Sequence, residues 1–467
     1  MPVRQTNKGE RGRFSVRKFH LSSTHTIALS FLLAIGAGGG LLSLPVASAT
    51  GVATPFTDAL FTSATSLCVT GLVTVTTATH WSLFGQLVIL LLIQIGGLGT
   101  VSLMAGAWWL FRRKFTLRRN LLLEDALNIP SMDGLRPFLF RVFRFVFVTE
   151  GIFYLLYLPL FLPTFGGRGA YYALFHSVSA FCNAGIDVFA DDSLCAFVGN
   201  APWIFLTSAE IIAGGLGFPV WFNICDTVKN SLRNRLHGEN RYHRLTLQTR
   251  IVLVMTAGLL ILPALLFLWI EYDNPATLAP LDTGGKILAA WFQSVTLRTA
   301  GFISVPQEGL RPASVLLSLV LMFIGGSPVG TAGGVKTVTF AVLVAFLVSS
   351  VRGREKVSLA RRTLSQRTVH KAISVLAVYL AVDVVATLLL LCLAPLSLTD
   401  AAFEVFSALG TVGVSRAVTP TLPAAGKWLI ILCMYLGRIS PVTFALVFSG
   451  FGKENHARWA EESLTVG

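Results

Sequence analysis

Charged residues make up only 13% of this 467-residue chain, against 54% hydrophobic ones. So little polar surface cannot cover a soluble globule of that length, which excludes the ordinary water-soluble fold classes. Negative charge is scarcest: 23 Asp and Glu stand against 37 Lys and Arg, a formal net charge of +14. Cysteine is sparse too. Cys68, Cys182, Cys195, Cys225, Cys392 and Cys433 form no Cys-x-x-Cys pattern, which removes zinc-ribbon and dithiol-redox classes and leaves them as small packing residues. No His/Asp/Glu or Cys/His constellation falls at membrane depth, so an enzyme is not expected. Neither residues 1–25 nor the tail 453–467 is long enough to bury a core of its own.

Apolar length is what the chain has in quantity. Runs at Ile27–Ala49, Trp81–Phe111, Phe138–Leu162, Pro202–Phe222, Ile251–Ile270, Ala313–Val348, Ala372–Leu393 and Trp428–Phe451 can each cross about 30 Å of hydrocarbon. Eight crossings are expected. The first run is too long for a signal-peptide core and precedes no hydrophilic mature chain, so it is expected to be retained. Of the 37 basic residues, 29 lie in 1–25, 112–144, 229–250, 352–371 and beyond 451. Positive charge beside membrane helices stays inside, which places both termini and the three inter-repeat connectors in the cytoplasm. Those connectors contain helix formers and are expected to be short helices or loops. Asp58, Asp187, Asp191, Asp192, Glu271, Asp273, Asp282, Glu308, Asp400 and Glu404 fall on the other face, where they attract cations. That segregation argues against nucleic acid and suits anionic lipid on the basic side.

Four segments between the apolar runs end alike: Ser66-Leu-Cys-Val-Thr-Gly71, Ala180-Phe-Cys-Asn-Ala-Gly185, Thr296-Leu-Arg-Thr-Ala-Gly301 and Ala408-Leu-Gly-Thr-Val-Gly413. Ten residues before each glycine stands Phe61, Phe175, Trp291 or Phe403. Later in each unit a second glycine opens a motif in the next apolar helix, at Gly96, Gly214, Gly325 and Gly437. Internal duplication at this scale predicts one membrane domain of four units, 26–112, 137–229, 247–351 and 369–452. A ten-residue helix rises only about 15 Å, half a membrane. Each loop segment therefore enters, stops near the middle and returns, with glycine where the chain turns. Irregular backbone at that depth must line water or protein, and its carbonyls are natural ligands for a dehydrated cation. Helix C-termini aimed at the axis add partial negative charge.

The third unit differs. Ile324-Gly-Gly-Ser-Pro-Val-Gly-Thr-Ala-Gly-Gly-Val-Lys336 cannot sustain a helix, which predicts an unwound loop below the four turns, able to block or clear them. Gly330–Thr337 is no phosphate-binding loop, since Val335 takes a glycine position and no strand precedes it. In the fourth unit the expected Gly-Gly reads Gly437-Arg438. An arginine within a span needs acceptors or water; Arg438 is expected to bond the unwound carbonyls and hold the loop. Glu150, Glu210 and Asp383 are embedded acids, read either as a cation path or as interhelical hydrogen bonding.

These signatures, with Ala64-Thr-Ser-Leu-Cys-Val-Thr-Gly-Leu72, Phe175-His-Ser-Val-Ser-Ala-Phe-Cys-Asn-Ala-Gly185, Phe292-Gln-Ser-Val-Thr-Leu-Arg-Thr-Ala-Gly-Phe302 and Ser407-Ala-Leu-Gly-Thr-Val-Gly413, resemble the Trk/Ktr/HKT superfamily of potassium transporters, most closely the bacterial Ktr-type membrane subunit. The resemblance covers residues 26 to 452. It implies an all-α integral membrane protein of four pseudo-symmetric helix–pore loop–helix repeats, eight transmembrane helices and four re-entrant pore helices around a central pore. The implied K+ filter is Cys68, Val69, Thr70 and Gly71; Cys182, Asn183, Ala184 and Gly185; Arg298, Thr299, Ala300 and Gly301; Gly410, Thr411, Val412 and Gly413. Potassium would be held by the carbonyls of Val69, Thr70, Asn183, Ala184, Thr299, Ala300, Thr411 and Val412. Glycine at all four filter positions implies K+ rather than Na+.

The implied gate comprises Gly325, Gly326, Ser327, Pro328, Gly330, Thr331, Ala332, Gly333, Gly334, Lys336 and Arg438. Arg298 is expected behind its loop, paired with Glu404 or Asp400. Arg416 departs from the small residue usual in the family and would weaken cation attraction at the outer mouth. No covalent cofactor is expected. The resemblance also implies a homodimer in the bacterial inner membrane, on a cytoplasmic ring of nucleotide-binding regulatory subunits, with Na+ as a modulator. A Na+-conducting or Na+/H+-coupled secondary transporter is the rival reading.

Overall fold

The computed structural model describes residues 23–111, 135–189, 193–236, 244–354 and 356–439. Both tails, most of the first basic connector, Asp191, Asp192 and the last part of the Trp428–Phe451 run lie outside them.

The described chain is helical almost throughout. Helices α1 (Ser23–Leu42), α2 (Phe56–Cys68) and α3 (Leu83–Phe111) form the first unit; α4 (Leu135–Phe165), α5 (Gly169–Cys182), α6 (Ala201–Gly215) and α7 (Phe218–Leu236) the second. Helices α8 (Leu247–Glu271), α9 (Thr283–Thr296), α10 (Pro312–Phe323) and α11 (Thr337–Val351) follow, then α12 (Gln366–Leu393), α13 (Leu398–Gly410) and α14 (Ala424–Ile439). Local chemistry sets several starts. Asp282 caps α9 by accepting from Gly285 N at 3.0 Å, and Ser397 caps α13 by accepting from Asp400 N at 3.1 Å, each satisfying an orphan amide of the first turn.

The short helices α2, α5, α9 and α13 are the packing centre. Each is followed by a helix that lies against the next short one: α3 on α5, α6 on α9, α10 on α13, and α14 back on α2. The order closes on itself. The interior mixes apolar and hydroxyl side chains, while the exterior is apolar. Ser63, Thr65, Ser177, Ser179, Ser294, Thr296 and Ser407 are buried, while Trp269, Phe140 and Val254 are 78%, 73% and 71% exposed. An apolar exterior of that extent is a lipid-facing surface.

Among the described residues, Pro137–Cys182 (through its bend), Leu247–Glu271 and Gln366–Leu393 are long and apolar enough to cross a membrane. Ala28–Leu42, Leu83–Gly99, Pro312–Phe323 and Thr337–Val351 are shorter apolar helices. The run expected to cross at Pro202–Phe222 is bent. It is two helices, α6 and α7, meeting at 97°, because Gly217 takes φ 86° and ends the first. The first unit has a counterpart inside α3, where Gly99 sits at φ 55°, ψ −135°. Each is the last glycine of a Gly-Gly-Leu-Gly motif. The connector 352–371 runs into α12 at Gln366 and carries a short ladder before it. Ser358–Leu359 and Arg362–Thr363 form a two-residue antiparallel ladder, turned by Ala360 and Arg361 at positive φ, the backbone of a tight hairpin.

Candidate functional site

Each short helix ends in a reversal of the chain. Val69, Asn183 and Thr411 cap α2, α5 and α13 in the left-handed region. Thr299 does so at φ 68°, a turn later, after α9 has unwound. Left-handed backbone is uncommon for residues with a Cβ, so the reversal begins two residues before the glycine expected to make it. The glycines then continue it, with φ of 104°, 63°, 85° and 93° at Gly71, Gly185, Gly301 and Gly413.

What those glycines supply is also room. A Cβ on Gly71 would lie 2.6 Å from the Ala184 carbonyl oxygen, one on Gly185 2.6 Å from that of Ala300, and one on Gly301 2.9 Å from that of Val412. One on Gly413 would overlap the Thr70 carbonyl. The contacts run first loop to second, second to third, third to fourth and fourth to first. Four loops distant in sequence thus form a closed ring of main-chain oxygens.

Hydrogen bonding leaves those oxygens free. Thr70 N, Ala184 N and Val412 N bond back to the carbonyls of Thr65, Ser179 and Ser407 at 2.8, 2.8 and 2.7 Å, and Ala300 N to that of Thr296 at 2.9 Å. Gly71 N donates to Thr65 Oγ1 at 3.0 Å, Gly413 N to Ser407 Oγ at 3.1 Å and Ile186 N to Ser179 Oγ at 3.1 Å. The donors therefore point into the short helices. Among the described residues, the carbonyls of Val69, Thr70, Asn183, Ala184, Thr299, Ala300, Thr411 and Val412 accept no hydrogen bond. Bare carbonyls at this depth need a cation or water. Sequence reasoning missed Thr65, Ser179 and Ser407. The readable signal was a hydroxyl six residues before the glycine in three of the four loops.

On the acidic side the ring opens into a vestibule of about 340 Å³, with Gly71, Gly185, Gly301 and Gly413 in its lining beside Asp187 and Glu308. Arg416 does not face this space as a free charge. Its Nε pairs with Asp400 Oδ1 at 2.8 Å and its Nη1 donates to the Gln307 carbonyl at 2.9 Å. Arg298 is corrected as well. It pairs with neither Glu404 nor Asp400: it is 8% exposed, its Nε has no partner among the described residues, and it lines a small cavity with Asn183, Gly215 and Gly326.

Below the ring, residues 324–336 form the unwound segment. Ile324 and Val335 form an isolated parallel bridge, with Gly325 N bonded to Val335 O at 3.0 Å. Inside that pinch, Ser327 N donates to Gly215 O at 3.0 Å, Thr331 N to Gly214 O at 3.4 Å, and Phe218 N to Val329 O at 3.1 Å. The loop thus docks on the break between α6 and α7, a partner the sequence reading did not foresee. Lys336 Nζ folds back onto Ala332 O at 2.6 Å. Gly333 lies against Thr411 and Gly410 of the fourth loop, so its Cβ would overlap the Thr411 side chain. Arg438 donates through Nη1 to Thr331 O at 2.5 Å and through Nη2 to Gly96 O. One guanidinium therefore ties the loop to α3.

The embedded acids are held by neighbouring side chains to different degrees. Glu150 accepts from Gln94 Nε2 at 3.0 Å and Glu210 from Ser177 Oγ at 2.6 Å; Asp383 Oδ1 has no partner among the described residues. No group of three or more His, Cys, Asp or Glu able to hold a metal ion occurs among the described residues.

Comparison with known proteins gives a consistent set of likenesses. The family model described as TrkH, cation transport protein, matches residues 24–455. The potassium/sodium uptake protein NtpJ of Enterococcus hirae is 38% identical over 461 residues, covering 97% of this chain and 98% of that protein. The Ktr system potassium uptake protein B of Vibrio alginolyticus is 37% identical, over 91% of this chain and 90% of its own. That of Bacillus subtilis is 34% identical, over 92% and 93%. The crystal structure of the potassium transporter TrkH from Vibrio parahaemolyticus superposes with a TM-score of 0.71 at 18% identity, covering 92% of this chain and 86% of that one, a likeness of fold.

Proposed function

The chain belongs to the TrkH family of cation transport proteins, and from that premise we propose that it takes up K+ across the bacterial plasma membrane. The observation that carries this reading is the closed ring of unpaired carbonyls at Thr70, Ala184, Ala300 and Val412. Such a ring replaces an alkali ion's hydration shell without any side-chain charge. Potassium uptake is what the names of the Enterococcus, Vibrio and Bacillus relatives state. The filter residues are Cys68–Gly71, Cys182–Gly185, Arg298–Gly301 and Gly410–Gly413. The units 26–112, 137–229, 247–351 and 369–452 each supply one quarter.

In this proposal the 325–336 loop is the gate and Arg438 its latch. Arg438 holds the loop across the axis through the Thr331 carbonyl while anchored to α3, and its charge opposes a cation directly beneath the ring. A homodimer with cytoplasmic termini, docked on a nucleotide-binding ring, completes the assembly; the second subunit type fits the word "system" in the names of the Ktr relatives. A second reading, Na+ conduction alongside K+, is favoured by the name of the Enterococcus relative and by four loops of different sequence.

Purified protein in liposomes tests both. Uptake of K+ is expected to exceed uptake of Na+, and Arg438→Ala is expected to raise K+ flux per protein several-fold. Equal uptake of the two ions would favour the second reading. Unchanged flux in folded Arg438→Ala protein would remove Arg438 from the gate.

A further inference from the structure

Glu404 has no counterpart in the other three loops. The equivalent positions, nine residues before each glycine, are Thr62, His176 and Phe292. It sits on α13 at 0% exposure. Its Oε1 accepts from Ser415 Oγ and from Thr419 Oγ1, the latter at 2.7 Å. Its Oε2 has no partner among the described residues. The nearest basic group along the chain, Arg416, is committed to Asp400 and to the carbonyls of Gln307 and Glu308. An ionised carboxylate buried without a counter-charge is strongly unfavourable. The open volume that could bring one is the vestibule, whose wall includes Ser415 and Thr419.

The hydroxyl bookkeeping points the same way. Each hydroxyl has one proton, and an ionised carboxylate only accepts. Thr419 Oγ1 lies within donor reach of both Glu404 and Ser415 Oγ, the latter at 3.0 Å, and the carboxylate is the stronger acceptor, so both protons are directed at Glu404. Ser415 Oγ receives Val418 N at 3.3 Å, which then leaves it one lone pair; Thr419 Oγ1 keeps two, and the two oxygens stand side by side. Hydroxyl oxygens polarised by a carboxylate behind them are hard, electron-rich donors of the kind alkali cations prefer. Asp187 and Glu308 line the same cavity and raise the local cation concentration.

Resting on the K+-uptake reading above, we propose that the outer mouth holds a second, off-axis cation subsite, with Ser415 Oγ and Thr419 Oγ1 as ligands and Glu404 as the charge behind them, for a partly hydrated monovalent cation. The subsite captures the ion before the ring strips its remaining water. It therefore acts on half-saturation by external K+ and leaves the turnover of the filled pore alone.

Initial rates of K+ uptake into liposomes, measured against external K+, test this. Glu404→Gln keeps the shape and an acceptor oxygen but removes the charge; Ser415→Ala removes one ligand from a partly exposed position. Both are expected to raise the half-saturation concentration about tenfold, with maximal rate within about twofold of the parent, where tenfold corresponds to about 1.4 kcal/mol. Half-saturation unchanged in both variants overturns the proposal. If Glu404→Gln folds poorly, Ser415→Ala and Thr419→Val decide alone.

A crystal soaked in Rb+ gives an arm independent of transport. Anomalous density against both Ser415 Oγ and Thr419 Oγ1 supports the subsite, and density confined to the ring of glycines overturns it. Density at the subsite with none at the ring would leave the subsite standing and bring down the filter reading instead.

Discussion

Gly413 shows most sharply what a single residue contributes. Its φ of 93° costs a residue with a Cβ on the order of 1–3 kcal/mol, and a methyl group there would overlap the Thr70 carbonyl across the ring. Gly413→Ala is therefore expected to lower K+ flux by about tenfold or more, since each 1.4 kcal/mol is a factor of ten. Flux per folded protein measures it, and near-parental flux would mean the ring does not conduct. The four glycines were legible because they recur at one spacing after an aromatic. The left-handed caps Val69, Asn183, Thr299 and Thr411 were not, since nothing in their side chains requires positive φ. Packing around the short helices imposes it. The partner of Arg298 was misjudged for a related reason: an arginine reaches far enough that its partner depends on which neighbour the fold delivers.

At the scale of elements, the informative feature is the break between α6 and α7. The Gly-Gly-Leu-Gly motif was visible at 96–99 and at 214–217, yet nothing in the motif itself says what a break there serves. Only beside the 325–336 loop does the second break acquire a purpose, because its freed carbonyls at Gly214 and Gly215 accept the loop amides of Thr331 and Ser327. Two interrupted helices satisfy each other's backbone, which is how irregular chain survives at membrane depth. A Cβ on Gly217 would sit 2.6 Å from the Pro328 carbonyl, at a backbone φ of 86°. Gly217→Ala is expected to unseat the loop and raise K+ flux. Its effect should not add to that of Arg438→Ala, because both act on one segment, with a coupling of at least about 0.5 kcal/mol in a double-mutant cycle. Simple additivity would show that the loop and the break work separately.

The whole molecule is a ring, and its closure rests on contacts between its ends. Packing of α14 on α2 joins the fourth unit to the first. There Lys427 Nζ meets Asp58 Oδ1 at 2.6 Å, with side chains 15% and 16% exposed. A pair this shielded lies between the exposed and fully buried cases, so losing one partner costs about 1–3 kcal/mol. Lys427→Met is expected to lower the thermal unfolding midpoint of the detergent-solubilised protein. Lys427→Met with Asp58→Asn should recover part of the loss, since no unpaired carboxylate then remains. An unchanged midpoint in the single variant would show that apolar packing alone closes the ring.

Composition and internal repetition by themselves pointed to a membrane protein with four recurring glycine-ended segments, a glycine-rich break at 325–336 and an arginine at 438. Those properties follow from hydrocarbon thickness, helix rise and the conformational demands of glycine and proline, all of which act locally along the chain. Which carbonyls face one another, which carbonyls Arg438 finds, and that Glu404 stands behind two vestibule hydroxyls were decided only by tertiary structure. The first two depend on residues about a hundred or more positions apart meeting within a few ångströms, and the third on the chain after α13 folding back over Glu404; no local rule carries either.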